Sequence, residues 1–447
     1  MADRLYDSEF SISNSKQYRR LRKLGLHGHA SGLLGSTDID VVDGKKKKEQ
    51  KRPDFRIIQV IQLAIEVLPS LLIALLGLAL AGRRLDQLPS YESFSVRPSL
   101  FILAPVLLNL KGCLETSLAS RISTSAHMGI LNSSSDIMNF ATGAVALLQA
   151  RGMVAAAVAG LFAWIMSDSN TSDLFVVVCA AMVSTCVSGG IMAVGLTLLV
   201  VFVKSIGHDP DIFATPFAAS VGDLLAIIVL SNSGEFIHHH LGSFACCAVI
   251  GAIFSTLPVW VRLVRRNKHA NHVLYVGWLP TIISLGISSV GGCALEKLRT
   301  PFPHLSLVAP VLNGTSHNLA TVFASRLSTR LQILDDQEFK ARLDSLGLTL
   351  SNALVQLVFL ILTAFFAFNP IWLHPAVVAA ELGASAATVL TLLVLARVLV
   401  RALWRRKLNP DDLAFPILTG SSDLLGTCAL GVSAMILKVI FGMNPFT

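Results

Sequence analysis

PVLLNLKGCLETSLASRIST (Pro105–Thr124) and PVLNGTSHNLATVFASRLST (Pro310–Thr329) align without a gap, 205 residues apart. A second pair keeps the same order. DPDIFATPFAASVGDLL (Asp209–Leu225) aligns with NPDDLAFPILTGSSDLL (Asn409–Leu425) at an offset of 200. The chain is therefore an internal duplication, and its repeated residues are polar ones set in apolar surroundings.

Those surroundings define the class. Of 447 residues, 53% are apolar and 14% charged, against about a quarter charged in a soluble domain. Apolar runs fall at about 57–81, 98–120, 136–166, 174–203, 213–232, 243–264, 273–293, 304–325, 346–368, 374–400 and 413–440. Each is long enough to cross a hydrocarbon core of about 30 Å as a helix. The pattern predicts an all-α polytopic membrane protein with about eleven transmembrane helices. Five spans fall in each repeat, and 243–264 links them. Five spans reverse the direction of entry and the sixth restores it, so the repeats are parallel, about a pseudo-two-fold along the membrane normal. The expected organisation is a basic, disordered cytosolic tail (1–55), a five-helix unit (56–235), a linker helix (236–270) and a second five-helix unit (271–447). Pro105 and Pro310 lie early in their spans, where broken or re-entrant helices are expected.

Lys and Arg crowd the loops on the side of the tail, which ends in KKKKEQKR (Lys45–Arg52). This bias predicts a cytosolic N-terminus and an extracellular C-terminus. The net charge of +8 belongs to these flanks and does not imply a nucleic-acid partner. Seven cysteines without a CxxC pair read as small buried hydrophobes. The run His238-His239-His240 places neighbouring side chains apart on a helix, a poor single-metal arrangement.

Asp223 and Asp423 carry the chemistry. Each lies seven residues past a proline, Pro216 or Pro416, about 10 Å into its span. An ionised carboxylate at mid-membrane costs roughly 2.5–3.5 kcal/mol, so two at equivalent positions call for a water-filled, cation-occupied path on the pseudo-two-fold axis. Two hard carboxylates suit hydrated Mg²⁺, which gives up its waters reluctantly. Asn313 and Asn318 offer amide oxygens to the ion or hydrogen bonds to neighbouring helices. Glu115 is a further acidic ligand or the i,i+4 partner of Lys111. His317 reads as a hydrogen-bonded packing residue. HExxH and GxSxG are absent from the sequence, and an intramembrane enzyme is not expected.

At these residues the chain resembles the eukaryotic solute-carrier-type magnesium transporters, which carry two MgtE-like integral membrane domains. The resemblance covers about 57–440. It implies that Asp223 and Asp423 correspond to the aspartate lining the ion path of bacterial MgtE, where two single five-span units form a homodimer. Cys113 and His317 depart from the family's Gly-Asn pair, with Cys113 in place of Asn and His317 in place of Gly. The resemblance implies transport of divalent cations, chiefly Mg²⁺, with Na⁺-coupled Mg²⁺ efflux as the alternative. No cofactor is expected, since Mg²⁺ is cargo and Na⁺ a coupling ion. The duplication makes one chain a built-in pseudo-dimer, so a monomer in the plasma membrane is expected.

Overall fold

The computed structural model describes residues 53–127, 131, 133–167, 170–206, 210–267, 270–275, 278–333, 338–366, 370–406, 408 and 410–442. The basic tail expected over 1–55 lies outside them as far as residue 52, as do Asp209 and Asn409 ahead of the paired prolines.

Among the described residues the structure is helical, with no strand. The α-helices are α1 (Pro53–Gln87), α2 (Glu92–Val96), α3 (Pro98–His127), α4 (Ser134–Ile165), α5 (Thr171–Ser205) and α6 (Pro210–His240). They continue as α7 (Ser243–Arg266), α8 (Trp278–Arg299), α9 (Leu305–Ile333), α10 (Glu338–Phe366), α11 (Pro375–Arg405) and α12 (Pro410–Phe441). All but α2 are 22 residues or longer, about 33 Å or more each. Their local signals are conventional. Ser133 caps α4 by accepting from Asp136 N at 3.2 Å, and its hydroxyl reaches Asp136 Oδ2 at 2.6 Å. Pro375 opens α11 behind the His374 cap. Within the apolar helices, Thr197, Thr315 and Thr388 return their hydroxyl protons to the carbonyl four residues earlier.

Nine of these helices carry an apolar window long enough to cross a membrane. Two pieces of the α1 segment, meeting at 45° beside Pro69, add a tenth as one bent span. The eleventh long helix, α9, is not among these spans. Asn313, Thr315, Ser316, His317 and Asn318 dilute its hydropathy, and it is surrounded by protein rather than facing lipid. The expected breaks at Pro105 and Pro310 are not found, because α3 and α9 run through both prolines. Ser288 of α8 donates to Pro105 O at 3.3 Å, so neighbouring protein supplies a partner at that proline. The bend falls at Pro69 instead.

Two close approaches bind the repeats together. A Cβ on Gly82 of α1 would collide with the carbonyl oxygen of Leu307 in α9. A Cβ on Gly292 of α8 would lie 2.6 Å from the carbonyl oxygen of Ile102 in α3. Ile102 and Leu307 are equivalent under the 205-residue offset. The first helix of each repeat thus crosses onto the second helix of the other, with glycine letting backbones touch. α1 continues to α10, where Ser351 Oγ donates to Ala64 O at 3.5 Å. α8 continues to α4, where the Arg151 guanidinium lies 5.4 Å from the Trp278 ring centroid. The linker α7 packs on α4 and α5 and leaves Phe244 and Val259 exposed, an apolar face suited to lipid.

Candidate ion site between α3, α6, α9 and α12

The crossing of α1 and α8 leaves a cavity lined from both repeats. Asp223 of α6 and Asp423 of α12 both line it, together with Asn313 and Asn318 of α9. Four of the five candidate ligands read from the sequence therefore share one space. Among the described residues the lining contains two carboxylates, amides, hydroxyls and one imidazole, and no Lys or Arg. With both carboxylates ionised its charge is −2, which matches a divalent cation.

Ser288 of α8 donates to Asp423 Oδ2 at 2.5 Å. Asn313 Nδ2 reaches Asp423 O at 3.5 Å, and Ser422 Oγ donates to Asn313 O at 2.7 Å. These bonds fix α12 against α8 and α9. They also leave Asn313 Oδ1 buried with no hydrogen-bond partner among the described residues. Gly426 makes room for it, since a Cβ there would collide with Asn313 Oδ1. His317 Nδ1 lies 3.1 Å from Thr419 Oγ1, whose proton is directed to Phe415 O at 2.9 Å. His317 then donates through Nδ1 and keeps a lone pair on Nε2.

Glu115 stands apart. It is not among the lining residues, and its Oε1 lies 2.5 Å from Lys111 Nζ, both side chains being buried. Its Oε2 packs against Gly222, the residue before Asp223. The i,i+4 pairing offered as one reading of the sequence is the contact observed.

Several lining residues escaped the sequence reading. Asn109 lines the cavity and donates through Nδ2 to Ser284 Oγ at 2.9 Å, while Cys113 Sγ donates to Asn109 Oδ1 at 3.4 Å. The first repeat thus supplies an amide despite Cys113 standing at the expected position. The gapless alignment hid it by setting Asn109 opposite Gly314 rather than Asn313. Thr116, Thr419 and Thr427 also line the cavity, and Thr419 and Thr427 face Ala219 and Ile227 in the repeat, so duplication gave no signal for them. Away from the cavity, Glu92 joins His238 and His239 within 4.8 Å, a grouping the helix alone did not show. Arg97 meets His238 Nδ1 there, so a cation of the chain already sits beside these groups.

Comparison with known proteins places these observations. Residues 104–233 and 309–433 match the MgtE family, described as divalent cation transporter. Solute carrier family 41 member 2 of Xenopus laevis is 32% identical over 444 residues, covering 93% of this chain and 78% of that protein. The Homo sapiens member 2 is 31% identical, covering 85% and 71%. Solute carrier family 41 member 3 of Mus musculus is 28% identical, covering 92% and 89%. No solved structure matches the chain.

Proposed function

Because the chain belongs to the MgtE family of divalent cation transporters, and so is an integral membrane protein, we propose that it carries Mg²⁺ through the cavity between its repeats. The observation that carries this reading is the convergence of Asp223 and Asp423 on one cavity with no Lys or Arg among the described residues of its lining. The two carboxylates attract a hydrated divalent cation and balance its charge. Asn313 Oδ1, orphaned by its own hydrogen bonding, and Asn318 and Asn109 bind the waters of the ion. Contacts through retained water avoid the cost of stripping Mg²⁺ and leave binding weak enough for release. Ser288 sets the orientation of Asp423. Glu115 neutralises Lys111 behind the path rather than touching the ion.

In this reading 56–235 and 271–447 are parallel repeats, and the path lies on the pseudo-two-fold axis between them. The cytosolic N-terminus, the extracellular C-terminus, the plasma membrane and action as a single chain belong to the same proposal, supported by the Lys and Arg bias and by the internal duplication. Mg²⁺ movement in proteoliposomes tests it, with Asp223→Ala and Asp423→Ala measured singly. Each substitution should cut flux by about tenfold or more, as loss of one charged ligand implies. Flux in either variant equal to wild type would overturn the assignment.

A further inference from the structure

A second set of orphaned oxygens lies outside the cavity, where α9, α10 and α11 meet. Asn352 Nδ2 donates to Ser385 Oγ at 2.6 Å, and Gln356 Nε2 donates to Thr315 Oγ1 at 2.9 Å. α10 and α11 are consecutive helices joined by a short connection, so they run antiparallel. Four residues on from Asn352 is Gln356, and four residues back from Ser385 is Glu381. The register that pairs Asn352 with Ser385 therefore sets Gln356 opposite Glu381, one turn away. Thr315 brings α9 to the same level, with Ser316 next along it.

Each amide of this group has committed an N–H, while four of the group's oxygens have no partner. Ser316 Oγ, Asn352 Oδ1, Gln356 Oε1 and Glu381 Oε1 are buried and have no hydrogen-bond partner among the described residues. Glu381 forms no ion pair among them. Leaving even one such oxygen bare costs about 1–3 kcal/mol. Four at one helix junction, one of them a carboxylate oxygen, call for a cation. All are hard oxygens, and with Glu381 ionised they carry a single negative charge, which a monovalent cation balances and a divalent one does not.

The other repeat shows what fills such a junction. Ser316 is the counterpart of Lys111 under the 205-residue offset. The Lys111 ammonium sits between α3 and α5, 2.5 Å from Glu115 Oε1 and 3.5 Å from where a Cβ on Gly189 would stand. Gln149 of α4 donates beside it to Cys186 O at 2.7 Å. The first junction thus holds one built-in positive charge against one carboxylate. In the second the lysine is a serine and the carboxylate comes from α11.

We infer that Ser316, Asn352, Gln356 and Glu381 form a binding site for a small monovalent cation, with Na⁺ the fitting size and hardness, taking the place that the Lys111 ammonium fills in the first repeat. The site stands on its own oxygens and not on the reading of the central cavity.

The test is saturable ²²Na⁺ binding to the purified full-length protein, with choline holding ionic strength, alongside its thermal unfolding midpoint in Na⁺ and in choline. Wild type should bind Na⁺ saturably and unfold at higher temperature in Na⁺. Glu381→Gln should weaken that binding by about tenfold or more. Ser316→Lys should abolish it while unfolding in choline no lower than wild type, because it supplies the missing ammonium. Asp223→Asn/Asp423→Asn should bind Na⁺ as wild type does, which separates this site from the cavity. Absence of Na⁺ binding and of a Na⁺-dependent midpoint in wild type would overturn the inference, leaving Glu381 as a protonated acid. Binding that survives Glu381→Gln, or that is lost only in the double Asp variant, would overturn it too.

Discussion

Gly426→Ala is a substitution whose effect should be large on transport and small on folding. A Cβ at Gly426 would collide with Asn313 Oδ1 and lie 2.8 Å from Leu312 Cδ2 and 3.0 Å from Asn313 Cγ. Ordinary contact needs 3.5–4.0 Å, so the amide must retreat by about 1 Å. The obstacles are the ends of flexible side chains rather than backbone. Overpacking of about 1–3 kcal/mol is therefore offset by the roughly 0.5–1 kcal/mol that Ala gains over Gly in a helix. Net destabilisation should be about 1–2 kcal/mol or less. The displaced oxygen is the orphaned acceptor that the proposal assigns to the ion's water shell, and a ligand misplaced by about 1 Å would lose most of that contact. Mg²⁺ flux into proteoliposomes should fall by about tenfold, with the protein still monodisperse. Asn313→Ala should fall similarly, and Gly426→Ala added to Asn313→Ala should cost nothing more, because both act through one amide. A double variant that falls by the product of the single effects would refute the reasoning, as would undiminished flux in Gly426→Ala.

Other substitutions read different parts of the structure. Gly82→Ala and Gly292→Ala meet backbone carbonyls, which cannot turn aside, so each should lower stability by about 1–3 kcal/mol, read as a lower unfolding midpoint in detergent. Matched losses at these two sites are expected from their equivalence across the repeats. Lys111→Met strands the buried Glu115 carboxylate and should cost about 3–5 kcal/mol, whereas Lys111→Met/Glu115→Leu should recover most of that loss in the same assay. Ser288→Ala removes the hydroxyl from Asp423 Oδ2; it should leave folding intact and weaken Mg²⁺ flux several-fold, as loss of about 1 kcal/mol implies.

The helices were legible because lipid-length apolar runs and a duplicated polar motif are written along the chain itself. Asp223 and Asp423 were legible for the same reason: a carboxylate in an apolar run is costly, and a repeated one is costly twice. What the sequence did not show depends on which faces meet. The crossing of α1 and α8 between repeats rests on Gly82 and Gly292, unremarkable glycines until their carbonyl neighbours are known. Asn109 was hidden by a one-residue difference in where each repeat places its amide. Glu115 kept two readings because i,i+4 spacing allows an ion pair without excluding a ligand, and only the buried contact with Lys111 distinguishes them. Pro105 and Pro310 suggested broken helices, but packing keeps α3 and α9 continuous, and the bend is at Pro69.

The central claim is that paired carboxylates from two repeats hold one divalent cation on its way across the membrane. Mg²⁺ flux through Asp223→Asn/Asp423→Asn in proteoliposomes, beside wild type and with and without a Na⁺ gradient, addresses it most directly. The neutral amides keep size and hydrogen bonding while removing both charges. The account predicts flux near background in the double variant under both conditions; flux equal to wild type would contradict it and move the ion path away from these residues.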